Sequence, residues 1–234
     1  QAFAAELDAL RQSVLANIGE EDARYIRRIV KSVRISSALG RGLLMLGWFP
    51  PAWLAGTGLL GLAKILENME LGHNVMHGQY DWMNDKTLNG ATYEWDIVGT
   101  SDNWRKTHNY MHHTYTNIKG VDDDIGYGVL RLFPEQRWKP FYLGQPIYAV
   151  IFALLFQWGV AIQELRLGQL FSGKKSKEQF AIEYAPTKRK IRQQLFKDYV
   201  FFPLIAGPAF LPVFTGNLVA NGIRNLWTFT IIFC

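Results

Sequence analysis

Cysteine is almost missing from this chain of 234 residues, with Cys234 the single one. That scarcity excludes an internal disulfide and a thiolate-rich metal site. No secretory signal is visible: the N-terminus is polar and amphipathic instead of a short basic-then-apolar run. The first residue is Gln1 and not Met, so the start reads as processed or truncated. Histidine is absent outside a window of 41 residues. Positive charge is absent from two places, the surroundings of Pro50-Pro51 and of Gly216-Asn217, although Lys and Arg exceed Asp and Glu by five.

What is present is clumped. Phe3 to Asn17 has a helical pattern with Gly19 as its stop. A second helix begins in the acidic turn Glu20-Glu21-Asp22. It sets Ile26, Ile29, Val30 and Val33 on one face and five Arg and Lys residues on the rest. Such a basic amphipathic helix suits a membrane surface. Ile35 to Phe49 and Ala52 to Ala63 are apolar limbs around Pro50-Pro51, each about 18 residues long once its polar-ended turn is included. They predict a membrane hairpin with the prolines at its tip. Tyr199 to Phe214 and Leu218 to Cys234 predict a second hairpin, turned at Gly216-Asn217. In its last limb Asn221, Arg224 and Asn225 recur at helical spacing and are expected to face the bundle interior.

The charges orient these segments. Of 25 Lys and Arg residues, 22 fall within 1–34, 68–140 and 165–197, and none at either tip. By the positive-inside rule the N-terminus and the histidines are cytoplasmic. The basic pI then follows from orientation and needs no nucleic acid. The apolar segment 143–167 has both flanks on one side, so it is assigned to the interface or to a re-entrant position. The expected architecture is one all-α integral membrane helical bundle with about four transmembrane helices. Its parts are cytoplasmic amphipathic helices (1–34), a first hairpin (35–70), the histidine region (71–142), an interfacial helix (143–167), a basic cytoplasmic region (168–198) and a second hairpin cut at its end (199–234).

The five histidines form two boxes. His73 and His77 are four residues apart, as are His108 and His112, and His113 follows directly. On a helix an i,i+4 pair stacks on one face, and imidazole is the commonest transition-metal ligand. His113 is turned about 100° from His112 and is placed to serve a neighbouring ion. Five imidazoles exceed what one tetrahedral zinc accepts, so a two-metal centre fits the count better. Glu70 and Asp81 continue the first helical face as carboxylates able to hold an imidazole. Asp123 and Asp124, in the run Asp122-Asp123-Asp124, are further candidates. Box one has the histidine spacing of the zinc-protease helix, but Asn74 stands where that motif needs its general-base Glu. Arg105, Lys106, Lys188, Arg189, Lys190 and Arg192 are candidate contacts for a substrate head group, with membrane-surface charge the plainer reading. Trp82, Trp95 and Trp104 read as packing aromatics, one of which lines a substrate tunnel in the alternative reading. Metals beside apolar helices point to a lipid-like substrate, and spacing alone does not name the reaction.

The boxes and the strings around them resemble the integral-membrane fatty acid desaturases, in particular a bacterial acyl-CoA, linoleoyl-CoA desaturase-like branch. The resemblance lies in Gly72 to Trp82 (GHNVMHGQYDW), Glu94-Trp95-Asp96, Thr107 to Asn117 (THNYMHHTYTN) and Asp122 to Tyr127 (DDDIGY). It implies two iron ions held in part by His73, His77, His108, His112 and His113, with molecular oxygen as co-substrate. Two external electrons are implied, from a ferredoxin, a b-type cytochrome or a flavin reductase. The implied substrate is an acyl-CoA or acyl-lipid that loses two hydrogens. The resemblance also implies a third box, HxxHH, which residues 1–234 do not contain, so the chain is expected to be a fragment inactive by itself. A membrane hydroxylase acting on an alkane, sterol or fatty acid, and a metal-binding protein without catalysis, remain open on the boxes alone.

Overall fold

The computed structural model describes residues 2–122 and 124–233, and among them every regular element is a helix. Asp123 and Cys234 therefore lie outside the described residues. α1 (Ala2–Asn17) has no buried residue. Gly19 ends it and caps α2 (Glu20–Met45), where the Gly19 amide donates to Asp22 Oδ2 at 3.0 Å. Glu20, Glu21 and Asp22 complement the positive end of the α2 dipole. The apolar stripe of α2 packs as its spacing predicts: Ile26 is buried in a cluster with Leu71 and Val75, flanked by Ile29, Val30 and Val33.

α3 (Pro50–Ile65) runs back against α2, with both prolines in its first turn, where a missing amide hydrogen costs nothing. The two helices approach closely because glycines face each other. A Cβ on Gly40 would lie 2.8 Å from the Leu60 amide nitrogen, and one on Gly56 would lie 2.9 Å from the Gly40 carbonyl oxygen. α3 continues through a π-helical segment, Leu66–Gly72, into α4 (His73–Met76). A second π-helical segment, Arg105–His112, lies between α5 (Ser101–Trp104) and α6 (His113–Tyr115).

α7 (Gln145–Leu154) and α8 (Phe156–Glu164) meet at Leu155 with a bend of 96°. After α9 (Leu167–Phe171), α10 (Lys177–Phe196) starts at Ser176, whose hydroxyl accepts from the Gln179 amide. It passes through π-helical Lys197–Phe201 into α11 (Phe202–Ile205). A 3-10 turn, Gly207–Ala209, then leads into α12 (Phe210–Phe233).

The turn expected at Gly216-Asn217 does not form there. α12 runs straight through it, and the chain reverses at Gly207, whose φ of +55° suits glycine. Packing overrides the local turn signal. A Cβ at Gly216 would lie 2.4 Å from a Leu44 methyl, and Asn217 is fully buried. Leu44, Leu60, Val213 and Ala220 join α2, α3 and α12 in one core.

Asn221, Arg224 and Asn225 are buried, as their spacing predicts. Asn221 donates to Asp198 Oδ2 and Asn225 to the Leu154 carbonyl. Asp198, 1% exposed, also receives Lys64 at 2.7 Å and Arg41 at 3.4 Å, and the Arg41 guanidinium lies 3.5 Å over the Phe202 ring. The helices depart from the sequence expectation of about four membrane spans. Among the described residues no single helix is long and apolar enough to cross a membrane, and only the bent α7–α8 pair meets that test by length and composition. α3 has only 16 residues, Arg27, Arg28, Lys31 and Arg34 of α2 are exposed, and in α12 the polar Asn217, Asn221, Arg224 and Asn225 point inward. Leu54 and Leu62 on α3, and Leu211, Leu218, Trp227 and Ile231 on α12, point out.

Candidate metal centre

Box one follows directly on a π-helical segment, in α4 and its C-cap, and box two spans the junction between the second π-helical segment and α6. Leu71, Val75 and Met76 anchor box one in the core, and buried Trp104 anchors box two. The five imidazoles converge. One ring nitrogen from each of His73, His77 and His108 lies within 4.8 Å of the others, and the same holds for His108, His112 and an Asp124 oxygen. The Nε2 atoms of His73 and His77 are 3.1 Å apart. The His113 ring centroid is 4.8 Å from those of both His77 and His108. Trp104 stacks on His108 at 4.6 Å and meets His73 and His77 edge-on at 5.2 Å, fixing three rings with one side chain.

Carboxylates hold two rings from behind. His108 Nδ1 lies 2.9 Å from Asp124 Oδ2, and His112 Nδ1 lies 3.0 Å from Asp122 Oδ2. Asp122, itself buried, also accepts from the Asn117 and Asp124 amides. A carboxylate on Nδ1 fixes the tautomer and leaves Nε2 as the ligating atom. Burial, and after it the neighbouring imidazoles, hold His73 down at about 3 and His77 at about 4, and lower His113 as well. These rings are neutral at pH 7, the form that binds metal. An imidazole-rich donor set backed by carboxylates fits iron.

The remaining predicted residues have other partners. Glu70 accepts a hydrogen bond from the Tyr25 hydroxyl, and Asp81 accepts from the Gly90 amide at 2.6 Å. The π-helical segment shifts the phase between Glu70 and His73, and left-handed Gly78 (φ +75°) ends the helix before Asp81. Arg105 is a loop clamp: it donates to the Gly90 and Tyr93 carbonyls at 2.8 and 2.7 Å and pairs with Asp102. Lys190 is buried and binds Glu94 at 2.9 Å, while Lys197 and Gln194 hold Asp96. The Glu94-Trp95-Asp96 string is thereby pinned to α10. Lys106, Lys188, Arg189 and Arg192 are exposed.

A cavity of about 370 Å³ opens beside the histidines, lined by His73, His108 and His112 at one side and by Phe156, Val160 and Phe233 at another. Trp95 and Trp104 line it, whereas Trp82 is half exposed. Sequence reasoning did not find its polar lining. Asn68, Gln157 and Glu164 are buried there with one oxygen each lacking a hydrogen-bond partner in the protein, and Arg224, Asn225 and Thr228 share the wall. The spacing of Asn221, Arg224 and Asn225 marked that stripe, but it does not distinguish a helix contact from a cavity wall.

Residues 36–234 match the family model described as fatty acid desaturase. The chain is 48% identical over 236 aligned residues to the NADPH-dependent stearoyl-CoA 9-desaturase of Mycobacterium tuberculosis, covering 99% of this chain and 55% of that protein. It is 40% identical over 103 residues to the sn-1 linoleoyl-lipid 6-desaturase of Synechocystis, covering 42% of this chain and 28% of that one. The chain spans about half the length of the first of these relatives. No solved structure matches.

Proposed function

The chain belongs to the fatty acid desaturase family, and from that premise we propose that the whole protein is an oxygen-dependent acyl-CoA desaturase of the bilayer. The observation that carries this reading is the convergence of five imidazoles at the side of a largely apolar cavity. His73, His77, His108, His112 and His113 are the proposed ligands of two iron ions, together with ligands outside residues 1–234. When bound, the iron pair supplies the oxygen activation that removes two hydrogens from an alkyl chain. Asp122 and Asp124 keep the His112 and His108 rings in their ligating tautomer. Trp104 keeps the ring planes in place, and the apolar lining admits the acyl chain while excluding bulk water.

The relative from Mycobacterium tuberculosis is named for NADPH and stearoyl-CoA, so NADPH-derived electrons, delivered through a reductase or small redox carrier, and a CoA thioester are the proposed partners. Lys106, Lys188, Arg189 and Arg192 remain as proposed head-group contacts. The proposed membrane frame is the α2–α3 hairpin and the α11–α12 pair, with the histidines on the cytoplasmic side and α7–α8 re-entrant. The outward apolar residues of α3 and α12, the bend at Leu155 and the placement of Lys and Arg support it.

The test supplies the purified whole protein with iron, oxygen, an electron donor and stearoyl-CoA, and weighs the product. Loss of two hydrogens is expected, with His112→Ala inactive. Gain of one oxygen would make the protein a hydroxylase. Absence of bound iron and of any product would leave a metal-site scaffold.

A further inference from the structure

On the desaturase reading, the reaction consumes protons as well as electrons. Oxygen, two external electrons, two protons and the two substrate hydrogens become two waters, and one carbon–carbon single bond of the alkyl chain becomes double. The two protons come from solvent, and they have to reach histidines that lie beside a largely apolar cavity.

One acidic residue stands in the wall of that cavity and of a second one. Glu164, at the end of α8 and outside the proposed α2–α3 and α11–α12 spans, lines the inner cavity together with His73, His108 and His112. It also lines an outer cavity of about 120 Å³, where every lining residue is polar and Lys106 and Gln179 are exposed. A polar space of that size has room for several waters. Among the described residues only Glu164 and Thr107 belong to both linings. The Thr107 hydroxyl is committed to the Asn103 carbonyl at 3.0 Å. Of the two, only the carboxyl can gain and lose a proton near neutral pH.

Lys64, Asp198 and Lys190 are buried too, but each is paired with an opposite charge. Glu164 is 7% exposed, and its Oε2 is sealed with no hydrogen-bond partner, which leaves Oε1 to exchange a proton. Such a group weakens a fold and is typical of a functional site. Burial, and after it the acidic neighbours Asp124 and Glu94, push its carboxyl up to about 8, so it holds its proton at pH 7. Tyr127 lies near it as well, and Lys106, Arg166 and the Lys175–Glu183 ion pair line the outer cavity. We propose, on that desaturase reading, that Glu164 is a proton-relay residue, handing protons from the outer cavity to the histidine side of the inner one. Oε1 releases its proton inward, and the carboxylate so formed is reprotonated from water in the outer cavity. Two such cycles supply the two protons of one turnover.

The experiment compares the whole protein in detergent with E164Q, which keeps the shape without an acidic proton, and with E164D, which keeps the acid. The infrared difference between metal-free wild type and metal-free E164Q at pH 7 should show a protonated carboxyl band that shifts in D2O. A carboxylate band in its place, or a band that does not exchange, would overturn the proposal. With iron bound, E164Q should keep its iron content, melting temperature and affinity for stearoyl-CoA while desaturation falls at least about 100-fold, and E164D should recover part of the rate. Wild-type turnover should fall as pH rises through about 8, where Glu164 loses its proton, and the residual rate of E164Q should lack that step. E164Q as fast as wild type would overturn the relay. So would loss of iron or of melting temperature in both variants, which would make Glu164 a support of the fold. A wild-type protein that forms no unsaturated product would instead defeat the desaturase reading, and the relay with it.

Discussion

Two polar clusters in this molecule, one buried around Asp198 and one half-buried around the histidines, are built on opposite plans. In the helix core, Asp198 gathers Lys64, Arg41 and Asn221, so opposite charges face one another and the cluster is closed. In the histidine cluster, like donors face one another, and the carboxylates stand behind the rings. The first arrangement stabilises the fold without any further ligand. The second gains from a cation placed among its ring nitrogens. A buried cluster that satisfies itself belongs to the scaffold, and one left with converging lone pairs belongs to the chemistry.

Breaking the second cluster is expected to have the largest effect of all on function and little on stability. His112→Ala in the whole protein should lose iron and with it all measurable desaturation, while the melting temperature of the metal-free protein stays within a few degrees; metal analysis and calorimetry read both. The reverse holds for the first cluster. Asp198→Ala leaves Lys64 and Arg41 buried without their counter-charge and should cost about 3–5 kcal/mol, read by denaturation in detergent. Asp122→Ala sharpens the contrast, since it leaves the ligands and removes a support. A 10–100-fold loss of iron affinity or activity is expected, about 1.4–2.8 kcal/mol, with near-normal folding. Gly40→Ala touches neither cluster. The added methyl must separate α2 from α3 and should cost about 1–3 kcal/mol in the same unfolding assay, with iron affinity unchanged.

The all-helical architecture and the convergence of the five histidines were legible in the sequence, because confinement to two boxes is a global property that local folding cannot disguise. The apolar stripe of α2 and the inward polar stripe of α12 were legible for the same reason: periodicity survives packing. Glu70 and Asp81 were misplaced because an unbroken α-helix was assumed. A π-helical segment on one side of box one and left-handed Gly78 on the other break the phase; the first has no sequence signature, whereas Gly78 is a stop signal of the same kind as Gly19. Lys190 and Arg105 looked like free surface cations. Their partners, Glu94 and the carbonyls of Gly90 and Tyr93, are set by tertiary structure, and for Lys190 the partner is 96 residues away. Gly216-Asn217 is a turn by composition, but the close approach of Leu44 makes the glycine a packing residue instead.

The widened helical turns beside the boxes decide where the chain has a length requirement as well as a residue requirement. Removing one residue between Leu66 and Gly72, or between Arg105 and the last rings of box two, would let the backbone relax into ordinary α-helix, a change the fold would tolerate. The wide turn holds one residue in excess, so closing it leaves the side chains beyond it near their former direction. A deletion in the ordinary helix of α3, ahead of Leu66, has no such outlet and turns everything beyond it by about 100°. Box one would then face away from box two with every histidine retained, and that deletion is as damaging as loss of a ligand.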